Sequence, residues 1–166
     1  MSIIVSHTVW YASRMAPSDT PLAQKLTGAS LTDDLSFMLA RANALSLAAG
    51  NAALAPHGLK ARSYSVLALA VDGAGPSQRE LAAFLRLDPS QVVALVDDLQ
   101  RRGLVERQPD PADRRANVVL ATDAGRALHA AALESAQAAE RSLHVALGDD
   151  EREQLAALLR RIAFAD

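Results

Sequence analysis

The segment between Gly103 and Thr122 constrains the fold more than any other, because it cannot continue the helical pattern on either side of it. Residues 104–107 are strand-like, and residues 117–120 contain the β-branched residues that strands favour. The residues between these runs include two prolines, which interrupt a helix by removing backbone donors. The pattern therefore predicts a β-hairpin whose two short strands are joined by a charged, turn-rich loop at residues 108–115.

Most of the remaining chain is predicted to be helical. Hydrophobic residues make up 50% of the sequence but aromatic residues only 4%, and the chain is rich in alanine and leucine, which favour helices. Apolar side chains recur at the spacing of one helix face. The fold class is therefore expected to be mainly α with a small β-hairpin, with helices at about residues 31–54, 62–71, 78–85, 89–102, 123–147 and 150–164.

Capping residues indicate where these helices begin. Ser30 with Asp33, and Ser77 with Glu80, have the spacing of a capping box, in which a hydroxyl and a carboxylate satisfy free backbone donors. Pro89 follows a capping residue and suits the first position of a helix. The predicted N-caps of the last three helices are Asp88, Thr122 and Asp149.

The first 30 residues differ from the rest and predict an N-terminal extension. They contain the only tryptophan, Trp10, and are interrupted by prolines and a glycine. A poorly ordered tail and an extra packed helix are both compatible with this composition, and Met15 is a possible alternative start. Residues 31–166 are expected to form a single domain, with one lobe at about 60–121 and long helices at about 31–55 and 123–164.

Several functional classes are disfavoured by composition. The chain has no cysteine, which excludes disulfides and thiolate chemistry, and its four histidines are scattered without metal-ligand spacing. We find no phosphate-binding glycine loop or nucleophile motif, so an enzyme is not expected, nor is a cofactor. No apolar stretch could span a bilayer, and no signal peptide is evident, so no membrane partner and a cytoplasmic location are expected.

Two close helices followed by a hairpin are typical of a winged helix-turn-helix. In that fold the second helix enters the DNA major groove, where each base pair presents a distinct pattern of donors and acceptors. The net charge of −2 gives no global signal for nucleic acid, but residues 101–115 hold five arginines against three acidic residues. A charged hairpin of this kind can reach an adjacent minor groove, where arginine is favoured.

Four stretches, in order, resemble the MarR family of bacterial regulators. Residues 95–107 resemble the end of its recognition helix and the first wing strand, residues 110–116 its wing, residues 122–125 the exit from the wing, and residues 57–59 the end of its first long helix. The resemblance extends over roughly residues 31–165. The chain departs from the family at Ala121, where leucine is usual, and at Ala94, where many members carry a polar or basic reader.

The resemblance implies DNA-contacting roles for the wing. Arg115 would enter the minor groove, Asp113 would hold its guanidinium, and Arg114 would meet phosphate. The alternative is a solvated loop with an ordinary surface ion pair. On the helices, Ser90 and Gln91 point away from the apolar face and could contact bases or phosphate. The remaining candidate DNA contacts are Gln78 and Arg79, which begin the first helix of the pair, and Ala94.

The terminal helices carry more apolar surface than a small winged helix can cover, which predicts a homodimer. MarR-like proteins bury such helices in an intertwined dimer, and a two-fold dimer requires a pseudo-palindromic site. The alternative is that these apolar stripes close a core within one chain. The candidate interface residues are Leu31, Leu35, Leu143, Leu147, Leu155, Leu158 and Ile162.

Family resemblance also implies a small aromatic or phenolic effector that lowers DNA affinity. Met38, Ala42 and Leu69 are candidate walls of its pocket, and Trp10 is a candidate lid, although such residues more often belong to the core or, for Trp10, to a tail. The sequence thus predicts a ligand-responsive, homodimeric repressor bound to double-stranded DNA. The alternatives are a winged helix without ligand sensing, or one used for protein contacts.

Overall fold

The computed structural model describes residues 26–110 and 116–165, and these described residues divide into two units, the first ending at residue 43 and the second beginning at residue 44. Most of the described residues are helical and the strands form one hairpin, which confirms the predicted fold class. The helices are α1 (Leu35–Leu54), α2 (Ala61–Val71), α3 (Gln78–Leu85), α4 (Pro89–Arg101), α5 (Asp123–Leu143) and α6 (Asp149–Ala163). The strands are β1 (Val105–Pro109) and β2 (Asn117–Ala121).

In the first unit, α1 begins later than predicted. Ser30–Asp33 form a 3-10 helix with no side-chain cap, so the predicted Ser30 capping box is wrong. The Oδ1 atom of Asp34 accepts a hydrogen bond from the backbone N–H of Phe37 at 2.7 Å. Aspartate is a strong N-cap, and its position directly before Leu35 sets the start of the α-helix.

The second unit contains the hydrophobic core, in which α2 packs against α4, α5 and β2. Helix α4 also packs against α3 and β1, so the two close helices and the hairpin share one core. This arrangement fixes the orientation of α4, because one side of that helix is fully buried. The largest buried side chains include Leu54, Leu59, Val66, Leu67, Leu81, Val92, Val96, Leu99, Val105 and Val119.

The predicted starts of α3, α4 and α5 are confirmed. The backbone N–H of Glu80 donates to Ser77 Oγ at 3.2 Å, and the backbone N–H of Ser77 donates to Glu80 Oε2 at 2.7 Å. Asp88 caps α4, and Pro89 occupies its first turn. Thr122 caps α5 by accepting from the backbone N–H of Gly125 at 3.1 Å.

The hairpin is antiparallel and lies against the start of α3. Its register pairs Val105 with Ala121 and Pro109 with Asn117. Strand β1 therefore extends into residues predicted as loop, which is possible because a proline is tolerated in a two-stranded sheet, where each strand is an edge. On the other side of β2, Val118 forms a bridge with Ser77. This bridge attaches the hairpin to the helix pair.

The junction between α5 and α6 differs from the prediction. Helix α5 ends at Leu143, not at residue 147, and Leu147 lies in the turn that follows. The carbonyl of Leu147 accepts from Arg152 Nη1 at 2.9 Å, which stabilises the turn from the next helix. Asp149 is the first residue of α6, so its predicted N-cap role is wrong: Gly148 holds that position, and its N–H donates to Glu151 at 2.7 Å.

Candidate nucleic-acid interface

Helix α4 has one buried side and one exposed side. Val92, Val96 and Leu99 are fully buried against the core of the second unit. One or two residues away along the helix, the side chains at the predicted contact positions Ser90, Gln91 and Ala94 are exposed, as is Val93. The sequence therefore assigned the outward face of this helix correctly. That these exposed residues contact DNA remains a prediction.

The N-terminal turn of α4 is held by Asp88. Its Oδ1 atom accepts from the Ser90 hydroxyl at 2.5 Å and from the Ser90 backbone N–H at 2.8 Å. These two hydrogen bonds stabilise the charged form and lower the pKa of the Asp88 carboxyl. The Ser90 hydroxyl donates its proton to Asp88 and keeps its oxygen as an acceptor, whereas Gln91 is exposed and carries both a donor and an acceptor.

Helix α3 places the other two predicted helix contacts at its N-terminus. Arg79 is exposed, whereas Gln78 is half-buried and its Oε1 atom accepts from Arg107 Nε at 2.6 Å. The amide nitrogen is therefore the part of Gln78 that could donate to phosphate. Hydrogen bonds with Ser77 lower the pKa of the Glu80 carboxyl, and the bond with the Ser77 backbone has a larger effect than the bond with its side chain.

Arg107 on β1 joins three parts of the interface, a role that the sequence did not reveal. Its Nη1 atom donates to Gln100 Oε1 at 2.6 Å, and its Nη2 atom donates to Asp97 Oδ1 at 2.5 Å. With the bond to Gln78, the guanidinium links the first wing strand to α4 and to the start of α3. The only signal in the sequence is that Arg107 ends the stretch that resembles the recognition helix and wing strand.

The two acidic residues in α4 are both engaged by arginines. Asp97 pairs with Arg107, and Asp98 accepts from Arg101 at 2.6 Å and lies 3.5 Å from Arg102. Arg102 also donates to the backbone carbonyl of Gly58 at 2.9 Å, which ties the end of α4 to the turn before α2. Carboxylates paired in this way repel a phosphate backbone less than free ones would.

The tip of the wing lies outside the described residues, and with it the predicted residues Asp113, Arg114 and Arg115. The hairpin that carries the tip is described on both sides of the gap. The Asp110 backbone N–H donates to the Ala116 carbonyl at 3.0 Å, so the pairing of the strands continues up to the gap. The roles of the three tip residues remain predictions.

The candidate effector residues fall in different parts of the chain. Trp10 lies outside the described residues, and Met38 and Ala42 are exposed in the first unit. Leu69 packs against the core of the second unit and lines a cavity of about 640 Å³ between the loop before α3, α3 itself and β2. Other side chains that line this cavity are Asp72, Glu80, Phe84, Asp110, Val118 and Leu120.

The candidate dimer residues remain accessible in the single chain to different extents. On α6, which is described along its whole length, no residue is buried, and Ile162 is 59% exposed. Helix α6 therefore does not close the core of the second unit. Leu143 and Leu147 are half-buried, and Leu31 and Leu35 are exposed in the first unit.

Neither a metal site nor a membrane span is present in the part of the chain that the structure describes. Within residues 26–110 and 116–165, histidine and carboxylate side chains do not gather into groups of three that could hold a metal ion. Among the described helices, none combines the length and the hydropathy that crossing a bilayer requires.

Helix α3, the turn before Asp88, helix α4 and the hairpin together define a winged helix-turn-helix. A family model described as the MarR family matches residues 57–116, which contain these elements up to the wing. A crystal structure of a MarR-family transcriptional regulator from Rhodococcus sp. RHA1 is 44% identical, covers 83% of this chain and 98% of that chain, and has a TM-score of 0.78. The chain belongs to the MarR family.

Two further solved structures are similar over a comparable length. CouR from Rhodococcus jostii RHA1, bound to p-coumaroyl-CoA, is 45% identical, covers 83% of this chain and 97% of that chain, and has a TM-score of 0.75. A transcriptional repressor named CouR, bound to a 23-mer DNA duplex, is 34% identical, covers 81% of this chain and 96% of that chain, and has a TM-score of 0.73. These relatives are transcriptional regulators rather than enzymes.

Proposed function

We propose that this chain is a ligand-responsive transcriptional repressor that binds a pseudo-palindromic DNA site as a homodimer. The observation that carries the proposal is the exposed side of α4, which is fixed by a fully buried opposite side and tied to the wing strand by Arg107. A helix held this rigidly can present its N-terminal residues to base edges in a major groove. The similarity to a repressor bound to a DNA duplex supports the same use of the fold.

In this proposal the wing supplies the minor-groove contact. Arg115 enters the groove, Asp113 orients its guanidinium, and Arg114 contacts phosphate, as the family resemblance implies. On the helices, Arg79 and the Gln78 amide contact phosphate at the start of α3. Gln91 and Ser90 contact base edges or phosphate at the start of α4.

Homodimer formation is supported by the apolar side chains of α6. Leu155, Leu158 and Ile162 lie on one face of this helix at helical spacing, and all three are exposed in the single chain. A second copy would cover them and place two α4 helices on one duplex. The proposed interface also includes Leu31, Leu35, Leu143 and Leu147.

An aromatic effector is supported by the relative that was solved with p-coumaroyl-CoA. We propose that this chain also binds a small aromatic or phenolic compound or its acyl derivative, with Met38, Ala42, Leu69 and Trp10 as candidate contacts. Binding would lower DNA affinity if the effector prefers a conformation in which the two α4 helices no longer match the half-site spacing. No cofactor is part of the proposal, and a cytoplasmic site of action is consistent with a DNA partner.

The experiment that tests DNA binding is selection of bound fragments from random duplexes, followed by a salt titration with the selected duplex. We expect one palindromic site with half-sites about one helical turn apart. The variant Arg115→Ala should bind that site at least tenfold more weakly and reduce the slope of log K against log salt by about one. Arg62→Ala, which removes an exposed arginine from the start of α2, is the matched control and should bind as the wild type does.

Failure to enrich any site would contradict DNA recognition, and equal affinity of Arg115→Ala and Arg62→Ala would contradict the role of the wing. The effector is tested in the same assay by adding p-coumaroyl-CoA or a free phenolic acid to the complex. Release of DNA supports ligand sensing. Unchanged DNA affinity together with calorimetric absence of binding would leave a winged helix that binds DNA without sensing these compounds.

A further inference from the structure

Val93 on α4 is an exposed valine that does not belong to the buried core. Val93 is 41% exposed, although its neighbour Val92 is fully buried in the core. A β-branched residue at such a position loses side-chain freedom and gains only partial burial, so folding alone favours it weakly. The next residue, Ala94, is also exposed, so the two side chains form a small apolar surface in the second turn of the helix.

The same part of α4 has no lysine or arginine side chain of the kind that recognises guanine. Helix α4, which is described throughout, has no lysine or arginine before Arg101 in its last turn, and Arg101 is bonded to Asp98. Direct recognition of guanine usually depends on a bidentate arginine or lysine at its O6 and N7 atoms. The first two turns of α4 therefore offer a base pair the amide of Gln91, the hydroxyl of Ser90, whose proton is donated to Asp88, and the apolar surface of Val93 and Ala94.

We infer that α4 reads A·T base pairs, with Val93 and Ala94 packed against the C5-methyl group of thymine. This inference rests on the proposed function and names the base chemistry of that site. Thymine is the base that presents an apolar group in the major groove, and small apolar side chains are its usual partners. Gln91, three residues before Ala94 and so beside it on the helix surface, has the two groups that pair with the N6 and N7 atoms of adenine.

The experiment replaces thymine by uracil, which removes only the methyl group, at each position of the selected duplex in turn. For the wild-type protein we expect one position per half-site at which this change weakens binding about fourfold, the effect of one buried methyl-sized group, and about tenfold or more when both half-sites are changed. Because both subunits of the dimer carry the change, Val93→Ala should bind the thymine duplex about as weakly as the wild type binds the duplex with uracil in both half-sites. It should lose little further affinity on uracil, because the two changes remove the same contact.

Two controls keep the result specific. Uracil outside the half-sites should leave the affinity unchanged, and Val93→Thr, which keeps one methyl group, should fall between the wild type and Val93→Ala. Circular dichroism checks that both variants are folded, which is expected because alanine favours an exposed helix position.

Three results would overturn the inference while leaving DNA binding intact. In the first, uracil weakens wild-type binding at no position. In the second, uracil weakens binding by the same factor for the wild type and for Val93→Ala. In the third, the selected site contains a guanine, and the preference for that guanine disappears in Arg101→Ala. If selection enriches no duplex at all, the proposed function fails and this inference fails with it.

Discussion

At the scale of single residues, Arg107 has the largest number of partners in the interface. Its guanidinium donates to Gln78, Gln100 and Asp97, so three of its five N–H groups orient the wing strand on α3 and α4. It also neutralises a carboxylate on the exposed side of α4. We therefore regard Arg107 as a positioning residue that acts through Asp97 and the wing.

We predict that Arg107→Gln weakens binding of the selected duplex about tenfold, because the unpaired Asp97 carboxylate then faces the phosphate backbone. The unfolding free energy should fall by only about 1–2 kcal/mol, the value of hydrogen bonds to a charged group near the surface. Adding Asp97→Asn to Arg107→Gln should restore most of the lost affinity. A double variant that binds as weakly as Arg107→Gln would instead mean that Arg107 contacts DNA itself.

At the scale of elements, α5 approaches the chain entering β1 closely at Gly125. A Cβ atom at Gly125 would lie 1.9 Å from the carbonyl oxygen of Leu104, which is backbone and cannot rotate away. The same carbonyl accepts from the Thr122 backbone N–H at 3.1 Å, and Thr122 Oγ1 donates to the Gly103 carbonyl at 2.7 Å. The glycine therefore allows α5 to lock the base of the hairpin.

We predict that Gly125→Ala lowers the unfolding free energy by about 3 kcal/mol, as measured by urea denaturation, because backbone must move to relieve the overlap. This result would be opposite in sign to intrinsic helix propensity, which favours alanine over glycine by about 1 kcal/mol. Gly28→Ala is the matched control, since nothing lies within 4 Å of its added Cβ, and it should change stability little. A Gly125→Ala variant as stable as the wild type would show that the junction is not tightly packed.

The elements predicted correctly are those whose signals are local. The caps at Ser77, Asp88 and Thr122 depend on partners within three residues, so the sequence reveals them. The end of α5 was missed because its turn is stabilised by Arg152, five residues beyond Leu147 and in the next helix. Ser30 was a plausible cap, but Asp34 competes with it and is the residue that caps the α-helix.

In the candidate site, too, the features with a local signal could be predicted from the sequence, and those that depend on long-range packing could not. The exposed positions of α4 can be predicted from the sequence, because the apolar residues that recur at helical spacing mark the buried side of the helix. Arg107 was missed because Gln78, one of its partners, lies 29 residues away, and only the packing of β1 beside α3 and α4 brings them together. Neither end of that contact carries a local pattern that distinguishes it from an ordinary surface residue.

At the scale of the whole molecule, the last helix has an apolar face that none of the described residues of its own chain covers. One face of α6 carries four exposed apolar side chains, those of Leu155, Leu158, Leu159 and Ile162. A second copy of the chain would cover them. We predict that Leu158→Glu raises the dimer dissociation constant roughly a hundredfold in sedimentation equilibrium. Each two-fold interface loses the contact twice, and burial of one leucine stabilises it by about 1.5 kcal/mol or more.

Ala157→Glu introduces the same side chain at an exposed position on the opposite side of α6, so it is the matched control and should remain dimeric. The Leu158→Glu variant should also bind a duplex with both half-sites much more weakly than the control does, while the two variants should bind a single half-site equally, because one α4 helix is intact in each monomer. A Leu158→Glu protein that stays dimeric at micromolar concentration would exclude this face of α6 from the interface. A monomer that retains full affinity for the complete site would separate dimer formation from DNA recognition.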